Sequence, residues 1–432
     1  MQTISFNDAD FSASLELLYN RPAAPDFAEK AAAGILEDVR KRGDEAICEM
    51  MKKFDSVDIT ADKFMVTEEE FAEAESLVKD YERAAIECAF KNIQAFARHQ
   101  IPSDWTFSPR KGVITGEKFT PMQCVGCYIP GGTAPLVSTV LHTAAIAKAA
   151  GVKEIIAVTP PRKDGKIHPQ TLFAMKVAGV TKAYRMGGAY AIAALAYGTN
   201  TVPKVEKIVG PGNAFVAAAK KQVYGNVAID MVAGPSEIMI VADKNANPAF
   251  AAADILSQAE HGSGLEQAVL ASDDREFLEK VQKEISKQCS MRQRLETIDR
   301  VLDKGVTFIH TKDITQALEI AGKYAPEHLE LMFENAGERA KEVTAAGAIF
   351  IGSWTPEPAG DFVAGPSHVL PTAGTARFFH GISAVDFLRR SSIIEYTREG
   401  LMQEVEHIET FAKMESLDAH GYSGSIRREF EE

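Results

Sequence analysis

The chain has 432 residues, of which 46% are hydrophobic and 25% are charged, and this composition predicts a globular protein with more than one core. Its net charge of −13 argues against a nucleic-acid partner, because phosphate groups are bound by clustered Lys and Arg. No apolar run approaches the roughly 20 residues that span a bilayer, and the N-terminus shows no secretory signal, so we expect a cytoplasmic protein with no membrane partner.

The first hundred residues are predicted to be helical after a short N-terminal arm. The arm must dock on another surface to stay ordered. Apolar residues then recur every four positions from Phe27 to Val39, and Gly43 interrupts the run. A second helical region covers residues 68–99.

From about residue 123 the pattern changes to strands that alternate with helices. The predicted strands cover 123–129, 154–159, 183–186, 205–209, 238–242, 268–271, 306–310 and 348–351. This alternation predicts an α/β protein with two Rossmann-like domains, each a parallel sheet flanked by helices. We assign the arm to 1–23, one discontinuous domain to 24–127 with 236–380, a second domain to 128–235, and a helical tail to 381–432.

Three glycine-containing turns, 130–135, 187–188 and 210–213, each precede a predicted helix in one domain. Such turns place backbone N–H groups at a helix N-terminus, which favours anions, at the carboxyl edge of a parallel sheet. The sequence contains neither the G-x-G-x-x-G fingerprint nor a P-loop. A nucleotide pocket and three ordinary tight turns both remain open at this point.

Glu327 and His328 lie side by side directly after Pro326. The proline fixes its own φ and disfavours the helical region for Ala325, so the chain enters the pair along a rigid path. Carboxylate and imidazole are suited to proton transfer at neutral pH. The segment therefore predicts an acid–base pair, and the alternative is an ordinary helix start.

Gln258 and His261 lie three positions apart at the end of a predicted helix and face the same side. Imidazole nitrogen and amide oxygen suit zinc or manganese, and the alternative is a surface Gln beside a His that the helix dipole favours. Asp361 and His368 share a loop rich in Gly and Pro, where binding residues concentrate.

Glu415 and His420 lie in a tail that is too short to form a pocket alone. A role for them requires docking on another surface, which includes that of a second subunit. Cys124 and Cys127 lie in a predicted strand without a second Cys-x-x-Cys, so we interpret them as core residues.

Together and in this order, these stretches resemble the histidinol dehydrogenases over essentially the whole chain from about residue 25. The resemblance is carried by segments 128–136, 210–215, 233–237, 257–262, 324–329, 359–361 and 368–372 and by Glu415 with His420. It implies a zinc-dependent homodimer, with one Zn²⁺ per subunit, that oxidises L-histidinol to L-histidine in two NAD-linked steps through L-histidinaldehyde.

The resemblance also assigns roles to single residues. By similarity, Gln258, His261 and Asp361 of one chain and His420 of the other would hold zinc and contact substrate. His328 would take the proton of the alcohol, and Glu327 would activate water in the second oxidation. The further residues implied are Ser236, His368 and Glu415 at the substrate, and Tyr128 and Asn213 at NAD in the domain 128–235.

Two positions depart from the family pattern. Tyr190 stands where the family usually has a Gln that contacts the cofactor, so the paired donor and acceptor of the amide are lost and a role for Tyr190 at NAD stays open. Ser367 stands where Asn is common. Two rival functions are a related dehydrogenase for another alcohol, such as a sulfonated propanediol, and a zinc hydrolase. Glu415 favours a cationic substrate over a sulfonate.

Overall fold

The computed structural model describes residues 1–21, 26–131 and 135–430, so the first predicted glycine turn, 130–135, lies partly outside the described residues. Within these ranges, no helix is both long enough and apolar enough to cross a membrane. Most of the described chain is arranged around two parallel sheets and a smaller antiparallel sheet.

The five-stranded sheet is parallel throughout. Its strands, in sheet order, are Lys182–Arg185, Glu154–Thr159, Cys124–Tyr128, Lys207–Val209 and Ala228–Ile229. Numbered along the chain this order is 3-2-1-4-5, a Rossmann-like arrangement. Its helices are Val137–Val140, the π-helical turn Leu141–Ala145, Ile146–Ala149, Pro169–Ala178, Gly188–Tyr197 and Ala214–Val223.

Both faces of this sheet are covered, which explains why its strands are mostly apolar, with charged residues confined to strand ends. The covering layers include the N-terminal helices Asp26–Arg42, Asp44–Met50, Met51–Asp55 (a π-helical turn), Ala61–Lys63 (3₁₀), Glu68–Leu77 and Asp80–His99. Gly43, with φ of 56°, separates the first two of these helices, as predicted. The single helical region predicted over 68–99 is instead two helices.

The six-stranded sheet is also parallel. In sheet order its strands are Gln2–Ser5, Val306–His310, Gln267–Ser272, Glu237–Ala242, His328–Met332 and Ala348–Ile351. Without the first strand, the order along the chain is again 3-2-1-4-5, so the prediction of two Rossmann-like units is confirmed. Its helices are Phe11–Tyr19, Pro248–Ala259, Arg275–Cys289, Leu295–Lys304, Ile314–Tyr324, Ala336–Arg339, Ala340–Glu342 (3₁₀) and Glu357–Phe362.

Two sequence expectations about this sheet are corrected or completed. The alternative of a helix start after Pro326 is wrong, because His328 begins a central strand that pairs with the strands on either side. The N-terminal arm docks by adding Gln2–Ser5 to the edge strand Val306–His310.

The tail is not only helical. Leu388–Tyr396 forms a strand that pairs antiparallel with Val113–Pro121, which also pairs with Trp105–Arg110. The remaining helical elements are Thr375–Arg377 (3₁₀), Ala384–Phe387 (3₁₀), Arg398–Met402, Val405–Met414, Asp418–Ser425 and Ile426–Glu429 (3₁₀). The predicted boundary between residues 127 and 128 passes through the strand Cys124–Tyr128, and the division into domains stays a prediction.

Candidate active site

A cavity of about 420 Å³ lies where the amino edge of the six-stranded sheet meets segments that follow the carboxyl edge of the five-stranded sheet. Its lining contains seven of the residues singled out from the sequence: Asn213, Ser236, His261, Glu327, His328, Asp361 and His368. The cavity therefore collects residues from segments that are more than 150 positions apart in the chain.

Glu327 and His328 lie in the wall of this cavity and are 5% and 2% exposed. The helix Ile314–Tyr324 ends at Ala325, whose left-handed φ of 50° turns the chain into the strand that starts at His328. This conformation lies outside the right-handed helical region, which Pro326 disfavours for Ala325, although it is left-handed and not extended. His328 is thus the first residue of a central, paired strand, and Glu327 directly precedes it.

The backbone of Glu237 orients both side chains. Its N–H donates to Glu327 Oε2 at 2.8 Å, and its carbonyl accepts from His328 Nδ1 at 3.2 Å. Because a carbonyl can only accept, Nδ1 carries the proton and Nε2 keeps its lone pair in the neutral imidazole. Among the described residues His328 Nε2 has no hydrogen-bond partner, so it is the nitrogen available for proton transfer.

Three side chains opposite the pair form a possible metal centre. Ligand atoms of His261, Glu357 and Asp361 all lie within 4.8 Å of one another. His261 Nδ1 is 3.2 Å from the Ser257 carbonyl, which leaves Nε2 as the ligand atom, 3.9 Å from Asp361 Oδ2.

Gln258 is fully buried beside His261, and its Oε1 has no hydrogen-bond partner within the described part of the chain. The alternative of a surface Gln is therefore wrong. A buried carbonyl oxygen without a donor is costly unless a ligand satisfies it. The donor set of imidazole nitrogen, carboxylate and amide oxygen fits zinc, so these side chains suit the predicted metal.

The pKa shifts of the buried acidic side chains and of His328 also favour a bound cation. Burial raises the pKa of Glu327 to about 8, against the opposing effect of His328. Burial alone lowers the pKa of His328, but the carboxylates of Glu327, Asp361 and Glu357 outweigh it and raise that pKa to about 10. Burial and Asp361 raise the pKa of Glu357 to about 9. Glu327 and Glu357 thus hold protons tightly, and a bound cation would release them, whereas the burial of Asp361 is outweighed by His328 and His368, which lower its pKa.

His368 connects the site to the five-stranded half of the molecule. Its Nδ1 donates to the Asp361 carbonyl at 3.1 Å, and its Nε2 lies 3.2 Å from the hydroxyl of Thr139. Its ring stacks on His142 with 4.4 Å between centroids. Both ring nitrogens of His368 are therefore engaged within the chain, so contact with a substrate requires the Thr139 hydroxyl to turn away.

The two tail residues are not in this cavity of the same chain. Glu415 and His420 are exposed on the helical tail and are not among the cavity-lining residues. The sequence analysis expects His420 to act in a second subunit, and this expectation stays a prediction.

A larger cavity of about 690 Å³ lies at the carboxyl edge of the five-stranded sheet and contains Tyr128, Tyr190 and Asn213 in its lining. It shares Pro130, Gly131 and Asn213 with the smaller cavity, so the two spaces adjoin. The side chain of Asn213 caps the helix Ala214–Val223 by accepting from Phe215 N and Val216 N.

The hydroxyls of two tyrosines occupy the second glycine turn. Gly187 N–H donates to Tyr190 at 3.1 Å, and Gly188 N–H donates to Tyr128 at 3.2 Å. The Tyr190 hydroxyl in turn donates to Asp55. Tyr190 is 2% exposed, so its hydroxyl organises the turn while its ring lies in the cavity wall. These two amides are therefore not open to a phosphate.

Sequence reasoning missed Glu357 and Glu237. Glu357 lies four positions before Asp361 on one short helix, a spacing that places both carboxylates on the same side and that could have been recognised. Glu237 acts through its backbone, which carries no signal in the identity of the residue.

The fold and this cluster define an α/β enzyme in which an acid–base pair adjoins a candidate metal centre and a second cavity. A family model for histidinol dehydrogenase matches residues 20–428. The histidinol dehydrogenase of Syntrophotalea carbinolica is 42% identical over 428 residues, 99% of each chain. That of Aquifex aeolicus is 44% identical over 400 residues, 93% of this chain and 92% of the relative. A crystal structure of histidinol dehydrogenase from Elizabethkingia anophelis matches with a TM-score of 0.94 at 36% identity, covering 99% of this chain and 98% of that one.

The chain belongs to the histidinol dehydrogenase family and is an oxidoreductase. The resemblance seen in the sequence is confirmed. The rival assignments, a dehydrogenase of a sulfonated propanediol and a zinc hydrolase, are not favoured by these similarities.

Proposed function

We propose that the protein oxidises L-histidinol through L-histidinaldehyde to L-histidine, with NAD as oxidant and zinc in the site, as a cytoplasmic enzyme of histidine biosynthesis. The observation that carries this proposal is that Glu327 and His328 line the same cavity as the candidate metal ligands His261, Glu357 and Asp361, and that this cavity shares lining residues with the larger one. Family membership supplies the substrate.

In the first oxidation, His328 takes the proton from the alcohol. Its Nε2 has no hydrogen-bond partner among the described residues and is 3.5 Å from Asp361 Oδ1, and its Nδ1 donates to the Glu237 carbonyl. A cation held by Asp361 would favour the neutral imidazole, which is the form that accepts a proton. NAD, when bound, accepts the hydride in each oxidation.

In the second oxidation, Glu327 takes a proton from the water that attacks the aldehyde carbon. Its Oε2 accepts from the Glu237 N–H, so we assign the acceptance of the water proton to Oε1. Two adjacent bases therefore serve two successive steps without movement of the aldehyde between sites.

Gln258, His261 and Asp361 would hold zinc, which, when bound, polarises and positions the substrate. Glu357 would either complete this set or orient Asp361 from the same short helix. Ser236, His368 and, from a second chain, Glu415 would hold the polar ends of the substrate. Tyr128, Asn213 and the ring of Tyr190 would contact NAD in the larger cavity.

We propose that the active form is a homodimer in which the tail of each chain completes the site of the other. The tail exposes large apolar side chains, with Phe411, Met414 and Tyr422 each more than 60% exposed. Such a surface is typical of an interface. The helix Asp418–Ser425 carries both Tyr422 and His420. Of the four predicted zinc ligands, His261 and Asp361 line the cavity and Gln258 is buried beside His261, whereas His420 is exposed and outside the cavity of its own chain.

The reaction stoichiometry tests this function. Because an alcohol becomes a carboxylate through two hydride transfers, we expect two NADH for each L-histidinol consumed. Absorbance of NADH and quantification of histidine measure both values, and incubation with a chelator should abolish the signal. A ratio of one would identify a simple alcohol dehydrogenase, and NADH formed in preference from a sulfonated propanediol would identify the rival substrate.

Tyr190→Phe tests the larger cavity. The change leaves the Gly187 N–H and Asp55 without their partner and loosens the turn in the cavity wall. We expect the KM for NAD to rise about five- to tenfold, with kcat at saturating NAD close to wild type.

Steady-state kinetics with NAD as the varied substrate give the result. Tyr197→Phe, on the same helix but outside the lining of this cavity, is the matched control and should leave the KM for NAD unchanged. An unchanged KM for NAD in Tyr190→Phe would place the coenzyme elsewhere.

A further inference from the structure

One residue, Glu237, fixes the acid–base pair through its backbone, as described above. Its N–H holds Glu327 and its carbonyl holds His328. Glu237 is the first residue of its strand, and the next residue, Ile238, pairs with His328 in the sheet. Any displacement of Glu237 therefore moves the hydrogen-bond partners of both bases together.

The side chain of Glu237 is in turn held by Arg21 from the N-terminal arm. Arg21 Nε and Nη2 donate to the two carboxylate oxygens at 2.5 and 2.6 Å, with 8% and 2% of the two side chains exposed. Such a fork fixes both the position and the plane of a carboxylate.

Tyr324 completes the contact from the helix that leads into the acid–base pair. Its hydroxyl donates to Glu237 at 3.2 Å, its carbonyl accepts from Arg21 Nη2 at 3.0 Å, and the guanidinium lies 3.6 Å from its ring centre. Arg21 is thus in contact with the two segments that supply Glu237 and Glu327–His328.

A buried ion pair is a weak source of stability, because desolvation of the two charges offsets their attraction. The ion pair restrains geometry more than it adds stability, since the bidentate contact with Glu237 and the stacking on Tyr324 together fix the orientation of the Arg21 guanidinium. Because the backbone of Glu237 contacts both Glu327 and His328, a restraint on Glu237 bears on the orientation of both bases.

We propose that Arg21, Glu237 and Tyr324 form a positioning unit that holds Glu327 and His328 in their productive orientation, so that the N-terminal arm controls the rate of both oxidations. None of the three needs to touch substrate. The inference rests on the proposed function of Glu327 and His328.

Arg21→Lys is the test, because it keeps the charge and removes the fork. In the zinc-loaded enzyme we expect kcat for histidinol to fall about 10- to 100-fold, with the KM values for histidinol and NAD and the zinc content close to wild type. Tyr324→Phe keeps the ion pair and removes a single hydroxyl, so a smaller, several-fold loss of kcat is expected even if Arg21→Lys folds poorly.

Arg42→Lys is the matched control. Arg42 makes comparable forks with Asp38 and Glu49 on the surface, and it is not a lining residue of either cavity. It should leave kcat unchanged. Wild-type kcat in both Arg21→Lys and Tyr324→Phe would overturn the proposal.

Crystal structures of the variants separate this inference from the proposed function. We expect the contacts from Glu237 to Glu327 and His328 to lengthen or break in Arg21→Lys. This readout needs no substrate: a wild-type enzyme inactive on histidinol would contradict the proposed function alone, whereas unchanged contacts in the variant would contradict the positioning unit alone.

Discussion

Replacement of Glu327 by Gln should slow the second oxidation far more than the first. The amide keeps the shape of the side chain and can still accept from Glu237 N–H through its oxygen, but it cannot take a proton from water. General base catalysis contributes about 10²–10⁴-fold, so the oxidation of supplied L-histidinaldehyde should fall by this factor. Early in the reaction, before the slow second oxidation contributes, the ratio of NADH formed to histidinol consumed should then approach one.

Stopped-flow measurement of NADH with each substrate resolves the two steps. Glu334→Gln is the matched control, because Glu334 is an exposed carboxylate beyond the other end of the same strand. His328→Gln should give the reverse pattern, with the larger loss in the first oxidation. Equal losses in both steps for both variants would contradict the assignment of His328 to the first oxidation and Glu327 to the second.

Heterodimers should reveal whether each tail serves its neighbour. An Asp361→Ala chain paired with a His420→Ala chain has one site with both defects and one site with neither, provided that His420 acts across the interface. Since each substitution alone removes a proposed zinc ligand, both homodimers should be inactive. The heterodimer, isolated with two different tags, should recover about half of the wild-type activity and of the zinc content.

The control places both substitutions in one chain and pairs it with a wild-type chain. Each site of that dimer then lacks one ligand, so it should be inactive. The opposite result, an active control and an inactive mixed pair, would show that His420 serves its own chain.

The alternation of strands and helices was readable from the sequence because parallel sheets bury both faces and make their strands apolar. The strands 154–159, 306–310 and 348–351 were predicted with the bounds that the structure shows. His328–Met332 was missed, since Leu, Glu and Met favour helices and the strand has only five residues. Here the sheet decides the conformation and the local preference does not.

The antiparallel sheet was missed for a different reason. Leu388–Tyr396 is rich in Arg and Ser and is largely exposed, and Trp105–Arg110 is exposed along its whole length. Each of these two strands is held by pairing with the middle strand Val113–Pro121, which leaves little apolar pattern in either segment.

The site was predictable where one motif carries the chemistry and not where distant segments meet. Glu327–His328 and Gln258–His261 are visible as short motifs. A single arginine in the arm carries no local signal, and only the fold shows that Arg21 contacts Glu237, which is 216 positions away.

Both proposed bases stand at the amino end of the strand His328–Met332, beside the start of the strand Glu237–Ala242, and these two strands finish roughly 13 and 17 Å away at about 3.3 Å per residue. At that far edge the chain turns through exposed Lys244 and Asn245. A peptide tag, a fluorophore or an inserted domain attached there would leave the bases and both cavities undisturbed. The far edge of the sheet thus offers an attachment point at which a fused group should not change the rate of catalysis.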